Sequence, residues 1–126
     1  MMKRVKGTQD YIDCTLFNFV IDTIKKHLSN YNFTEVQTPI IEPLNLFQRS
    51  LGEYTDVVSK EMFIIESKKQ DTKDDERICL RPEGTASIVR AFNENQIQIS
   101  PWKVFSYGPM FRYERPQKGR LRQFYH

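Results

Sequence analysis

Apolar residues change their spacing several times along this chain, and each change marks an element. Phe17, Val20, Ile21, Ile24 and Leu28 stand at i, i+3, i+4, i+7 and i+11, a single stripe, so the spacing predicts a helix over residues 13–28. Asp13 or Thr15 is the candidate cap, and Lys25, Lys26 and His27 suit the negative end of the helix dipole. A short strand is expected over 33–37, then an extended passage through Pro39 and Pro43. Residues 44–51 read as a helix stopped by Gly52. The β-branched run 62–66 and the run 77–81 read as strands, and the charged stretch 68–76 as a solvated turn between them. Pro82-Glu83-Gly84-Thr85 opens a further helix with Thr85 as cap and Ile88, Val89 and Phe92 as its inward stripe. Pro101 and Trp102 lead into a last pair of strands. Helices mixed with antiparallel strands place the chain in the α+β class, an antiparallel sheet with flanking helices.

Composition adds limits. The chain has 126 residues, enough for one domain with a real core. Nine Phe and six Tyr argue against disorder. Cys14 and Cys79 are far apart with no Cys-x-x-Cys spacing, and His27 and His126 add no zinc pattern, so no metal ligands are assigned. Both thiols read as buried or semi-buried in a reducing compartment. No stretch approaches the about 20 apolar residues of a membrane span, and the N-terminus carries no apolar targeting run, so a cytoplasmic protein is the expectation. A net charge of +3 decides little; its local clustering decides more.

The clustering lies in 111–124, Phe-Arg-Tyr-Glu-Arg-Pro-Gln-Lys-Gly-Arg-Leu-Arg-Gln-Phe. Alternation puts Arg112 and Glu114 on one face of a first strand, and Arg120, Arg122 and Phe124 on one face of the return strand. Pro116 and Gly119 break the pattern between them. Five cations, Arg112, Arg115, Lys118, Arg120 and Arg122, stand against the single anion Glu114. Guanidinium forks take phosphate oxygens in pairs, and a phenyl face stacks on a base. A nucleotide pocket fits this order better than a solvated basic hairpin, though a general RNA contact shares the charge pattern. The second candidate is Arg81-Pro82-Glu83-Gly84-Thr85, where a strand gives way to a helix. Glu83 and Thr85 can hold an ammonium group or a ring N–H. Helix capping explains the same residues.

These blocks together resemble the histidyl-tRNA synthetase family of class II aminoacyl-tRNA synthetases. Lys6-Gly7-Thr8-Gln9-Asp10 is similar to that family's N-terminal segment. Glu35 to Glu42, continuing through Leu51-Gly52-Glu53 and Asp56-Val57-Val58-Ser59-Lys60-Glu61-Met62, resembles its first class signature, and 108–124 its second. Leu80-Arg81-Pro82-Glu83-Gly84-Thr85 is similar to its histidine-contacting segment. The resemblance implies a class II catalytic fold and the joining of histidine to tRNA(His) through histidyl-adenylate, with ATP and Mg2+. It implies that Arg112 is catalytic, holding the α-phosphate and the substrate carboxylate. Glu114 would accept from the adenine amino group, Arg120 would meet the γ-phosphate, and Phe124 would stack on adenine. Glu83, Thr85, Arg112 and His126 would hold histidine, with His126 standing where the family usually has Gln. Arg115 and Gln117 would face the tRNA acceptor end. A homodimer is implied as well. Residues 1–126 then correspond to the N-terminal portion of an incomplete catalytic domain, inactive alone, since the third signature and the anticodon-binding domain are missing from it. Three rivals share some of these features: the histidine-binding regulatory subunit of ATP phosphoribosyltransferase, another class II synthetase, and a plain RNA-binding module.

Overall fold

A computed structural model describes residues 1–52, 54–66 and 77–126. The expected turn over 68–76 lies outside the described residues. The order is α1 (Thr15–Ser29), β1 (Thr34–Glu35), β2 (Ile41–Pro43), α2 (Leu44–Leu51), α3 (Asp56–Lys60), β3 (Ile64–Ile65), β4 (Ile78–Leu80), α4 (Thr85–Glu94), β5 (Val104–Phe105), β6 (Pro109–Phe111) and β7 (Gln123–Tyr125). The α+β class holds. The strands form three small ladders. β4 lies between β2 and β3, antiparallel to both, with Cys79 opposite Glu42 on one side and Ile64 on the other. β6 and β7 are antiparallel with Met110 opposite Phe124, and β1 runs parallel to β5. That parallel pair joins residues some seventy positions apart in sequence, beyond the reach of any local pattern.

Local chemistry fixes most boundaries. Asp13 accepts from the Thr15 backbone N–H at 2.8 Å and so caps α1, while Thr15 is already helical. Pro43 cannot donate to a ladder, so β2 ends there on the sheet edge and α2 begins. Gly52 ends α2 at φ +90°, a conformation that costs glycine little. Two elements escape the apolar pattern. β2 is only three residues long, and α3 is a single turn capped by the Thr55 hydroxyl and closed by a Lys60–Asp56 pair at 3.2 Å.

The core sits where β4 meets α2 and α4. Phe47 and Cys79 are fully buried there with Leu44 and Ala86, and Leu46, Leu51, Val58 and Met62 pack around them. The inward stripe of α4 is only partly the expected one. Ile88 and Phe92 are half-buried, Phe92 against Trp102, but the fully buried residues are Ala86 and Ser87, and Val89 is exposed and lines a groove. The α1 stripe divides in the same way. Phe17, Ile21 and Leu28 are half-buried against β5 and β7, but Val20 and Ile24 are exposed, because one thin sheet covers only one side of the helix. Lys25 of α1 reaches Glu35 of β1 at 2.8 Å, and this bond holds the Glu35 carboxyl below the usual carboxylate range. Cys79 is buried as expected, but Cys14 is exposed, because it occupies the turn just ahead of α1.

A buried ion pair braces the same region. Glu42, 2% exposed, accepts from Arg90 Nε at 2.9 Å and from Nη2 at 2.7 Å, which ties β2 to α4. Removing only the cation strands a buried carboxylate, whereas removing both charges does not. Arg90→Met should cost about 3–5 kcal/mol in urea unfolding. The double variant Glu42→Leu, Arg90→Met should recover most of that loss. The thiols give a second test. Burial, helped by the nearby Glu42 charge, pushes the Cys79 thiol up to about 12, so its reactive thiolate is absent at pH 8. In a thiol-reagent titration at that pH, Cys14 should react at once and Cys79 only after denaturation.

Candidate functional site

The second candidate segment begins on a buried guanidinium. Arg81 follows β4 and is 2% exposed. Its Nη1 donates to the Thr38 carbonyl at 2.9 Å and to the Thr38 hydroxyl at 3.1 Å, and its Nε donates to the Pro109 carbonyl at 3.1 Å. Burial lowers its pKa and the more distant Glu42 charge opposes that fall. The chain then turns through buried Pro82 into Glu83 and α4. The Glu83 carboxylate folds over the helix start, accepting from the N–H groups of Thr85 at 2.6 Å and Ala86 at 2.9 Å. The capping side chain is thus Glu83 and not Thr85: the N-cap position falls on Gly84, and Thr85 is the first helical residue, its own N–H one of the orphan donors that Glu83 satisfies. Glu83 and Thr85 both line a groove of 860 Å³ between α2 and α4, whose apolar wall includes Leu46, Leu51, Ala86 and Val89.

The basic hairpin differs from its expected form. The regular ladder stops at Phe111, and Arg112 N–H makes one more bond, to the Arg122 carbonyl at 2.9 Å. Residues 112–116 then leave the strand: the Tyr113 N–H turns to the Glu61 carbonyl, and the Glu114 N–H to the Arg112 carbonyl at 2.8 Å. Gln117 and Arg120 pair across a tight turn at Lys118-Gly119. Arg112 and Glu114 therefore do not share a regular strand face. Nor does Arg122 join Arg120 and Phe124. Its guanidinium lies 3.9 Å from the Tyr113 ring centroid and donates to the carbonyls of Glu114 (3.2 Å) and Lys6 (3.3 Å). The cause is the N-terminal segment. Gly7 carbonyl takes the Arg122 N–H at 2.7 Å, which bends the return strand there. Arg122 is a bracket for the hairpin root, a role that no local pattern discloses.

Arg112 and Phe124 do come together. The Arg112 guanidinium lies 5.4 Å from the Phe124 ring centroid, and its Nε donates to the Pro82 carbonyl at 2.9 Å. One side chain thus joins the hairpin to the Arg81–Thr85 segment. Arg115, Gln117 and Arg120 are exposed at the hairpin tip, and Glu114 is half-buried. His126 exchanges both backbone hydrogen bonds with Gly108, at 3.0 and 3.1 Å. It lines a different cavity, of 360 Å³, between α1 and the strands β5 and β7.

The hairpin cation Arg112 is thus braced beside an aromatic ring and bonded to the residue that precedes the helix-start carboxylate Glu83. The family described as "tRNA synthetase class II core domain (G, H, P, S and T)" matches residues 63–126, about half of the chain. The chain belongs to that class II core-domain family. Among relatives, the histidine–tRNA ligase of Thermosipho africanus is 47% identical over 129 residues, covering 99% of this chain and 30% of that protein. The apo histidyl-tRNA synthetase of S. aureus superposes with a TM-score of 0.72 at 32% identity, over 99% of this chain and 31% of the other. An "ATP phosphoribosyltransferase regulatory subunit/histidyl-tRNA synthetase" from Bacillus halodurans has a TM-score of 0.73 at 16% identity, likewise over 99% and 31%, and shares the fold alone. The chain spans about 30% of the length of the curated relatives it matches.

Within this class II core the cap makes its own forecast. Glu83 satisfies two of the four orphan N–H groups of α4. Glu83→Ala should lower unfolding free energy by about 1 kcal/mol, within the usual range for a lost cap. Thr85→Ala should leave stability nearly unchanged. Urea midpoints of the two variants check the assignment.

Proposed function

We propose that this class II core is the N-terminal part of a histidine–tRNA ligase, which activates histidine with ATP and passes it to tRNA. In the first step a histidine carboxylate oxygen attacks the α-phosphorus. The bond from that phosphorus to its bridging oxygen breaks, and pyrophosphate leaves. In the second step a hydroxyl of the tRNA's terminal ribose attacks the acyl carbon, and AMP leaves. Both reactants of the first step are anions, so positioning and charge neutralisation dominate the catalysis.

The observation that carries this reading is the position of Arg112. Its Nε bond to Pro82 and its stacking by Phe124 engage one nitrogen of the fork among the described residues. The two terminal nitrogens remain as a donor pair for an α-phosphate oxygen and the carboxylate. Phe124 then offers its ring to adenine, Glu114 accepts from the adenine amino group, and exposed Arg120 meets the γ-phosphate. Glu83 and Thr85 take the histidine amino group and imidazole, and His126, which lines the separate cavity beside α1, holds the position that the family pattern gives to a further histidine contact. Arg115 and Gln117 at the exposed tip suit the tRNA acceptor end. No group of three or more His, Cys, Asp or Glu that could hold a metal ion occurs among the described residues. Mg2+ would accompany the nucleotide and supply charge neutralisation on its phosphates. No helix among the described residues is long and apolar enough to cross a membrane. A cytoplasmic homodimer is the assembly we infer.

ATP–pyrophosphate exchange in the complete protein tests the reading, run with and without histidine. Exchange should require histidine, and threonine, proline or glycine should not replace it. Arg112→Ala should lower the exchange rate about 100-fold or more, the usual loss for one transition-state donor. Its melting temperature should fall only slightly. Exchange that ignores histidine, or an Arg112→Ala variant at full rate, sinks this assignment.

A further inference from the structure

Arg81 is the buried cation for which the proposed reaction has no use. Among the described residues it has no carboxylate within ion-pair distance. Its donors go to Thr38 and to the Pro109 carbonyl instead. Its own backbone is held from both sides: Arg81 N–H donates to the Ile40 carbonyl at 2.9 Å, and Phe111 N–H donates to the Arg81 carbonyl at 3.0 Å. Gly108 abuts the guanidinium so closely that a Cβ there would stand 2.5 Å from Nη2. Gly108 is also the residue whose backbone pairs with His126.

The segments that carry the proposed histidine contacts therefore converge on this one residue, through its backbone or its side chain. Glu83 and Thr85 follow it within four residues. Arg112 follows the strand whose Pro109 carbonyl it holds, and His126 is paired to the glycine it packs against. We propose that Arg81 is a positioning residue for histidine activation: it sets the spacing between the Glu83 carboxylate and the Arg112 guanidinium. This inference rests on the reading in the preceding subsection. A planar fork spans Thr38 and Pro109 at once, which a lysine ammonium cannot do. With lysine at 81 one carbonyl loses its donor, and β6 shifts relative to the start of α4. A displacement of about 1 Å is enough to cost on the order of 100-fold in rate. Arg112, Arg120 and Phe124 all sit on the β6–β7 hairpin and shift with it as one piece, so the nucleotide contacts keep their mutual spacing while their distance to Glu83 changes.

The test is histidine-dependent ATP–pyrophosphate exchange in the complete protein with Arg81→Lys, Gly108→Ala and the double variant. Arg81→Lys should raise the histidine KM about tenfold and lower kcat about 100-fold, with the ATP KM unchanged. A loss of folded protein lowers kcat alone and leaves both KM values in place. Gly108→Ala should reproduce the pattern by pushing the guanidinium. The double variant should be no worse than Arg81→Lys, because the shorter side chain removes the collision. An Arg81→Lys enzyme with a normal histidine KM overturns the inference, and so does a double variant whose losses multiply. Should Arg81→Lys fail to fold, Gly108→Ala decides: a raised histidine KM beside a normal ATP KM supports the inference, and wild-type constants overturn it. If the unmodified protein shows no histidine-dependent exchange, the ligase reading falls first and this inference falls with it.

Discussion

A guanidinium taken out of water and satisfied by neutral oxygens alone is the constraint that organises this chain. Arg81 donates to a carbonyl and a hydroxyl of Thr38 and to the carbonyl of Pro109, while its own peptide group bonds Ile40 and Phe111. A buried charge without partners is expensive, and so is a buried carbonyl. Each therefore satisfies the other, and none of the three segments can move without exposing an unpaired group. Contrast this with Glu42 and Arg90 nearby, a true ion pair that joins β2 to α4. The pair braces the back of the core. The guanidinium at Arg81 fixes the front, where three elements converge.

What could be read in advance follows the range of each interaction. α2 was legible to its last residue because its signals are local: Pro43 before it, Gly52 after it, and Leu44 and Phe47 one turn apart. β3 is legible as an apolar, β-branched run, and β4 as its partner between the charged stretch and Pro82. The meeting of Arg112 with Phe124 takes more than strand pairing, since the ladder stops at Phe111 and the Pro82 carbonyl holds the Arg112 side chain. Other features were out of reach. The bracket formed by Arg122 needs the N-terminal segment to arrive at the hairpin root, a contact across 116 residues. The parallel β1–β5 pair is equally non-local. The α4 capping side chain stands two residues ahead of the Thr85 that the local pattern suggests, because a Thr at a helix start is the commoner cap and a Glu before it is a rarer one. Arg81 itself stood in the motif without drawing notice, since nothing in sequence distinguishes a buried arginine from an exposed one.

The cap also bears on the chemistry. Glu83 is claimed twice, by the first turn of α4 and, in the proposed reaction, by a histidine ammonium. The two demands are compatible. An ionised carboxylate offers about four lone-pair directions, and the N–H groups of Thr85 and Ala86 occupy one on each oxygen. Those two bonds fix both oxygens in space before any ligand arrives, so the remaining lone pairs are aimed at no entropic cost at binding. A cap of this kind is therefore a way of orienting a binding group, not an alternative to one. The same reasoning holds for Arg112, whose Nε bond to Pro82 fixes the plane of the fork and leaves its outer nitrogens directed by that plane. Each half of the proposed site is oriented by side-chain bonds to backbone, Glu83 to its own helix and Arg112 to Pro82 across the gap, and Arg81 sets the distance between the two.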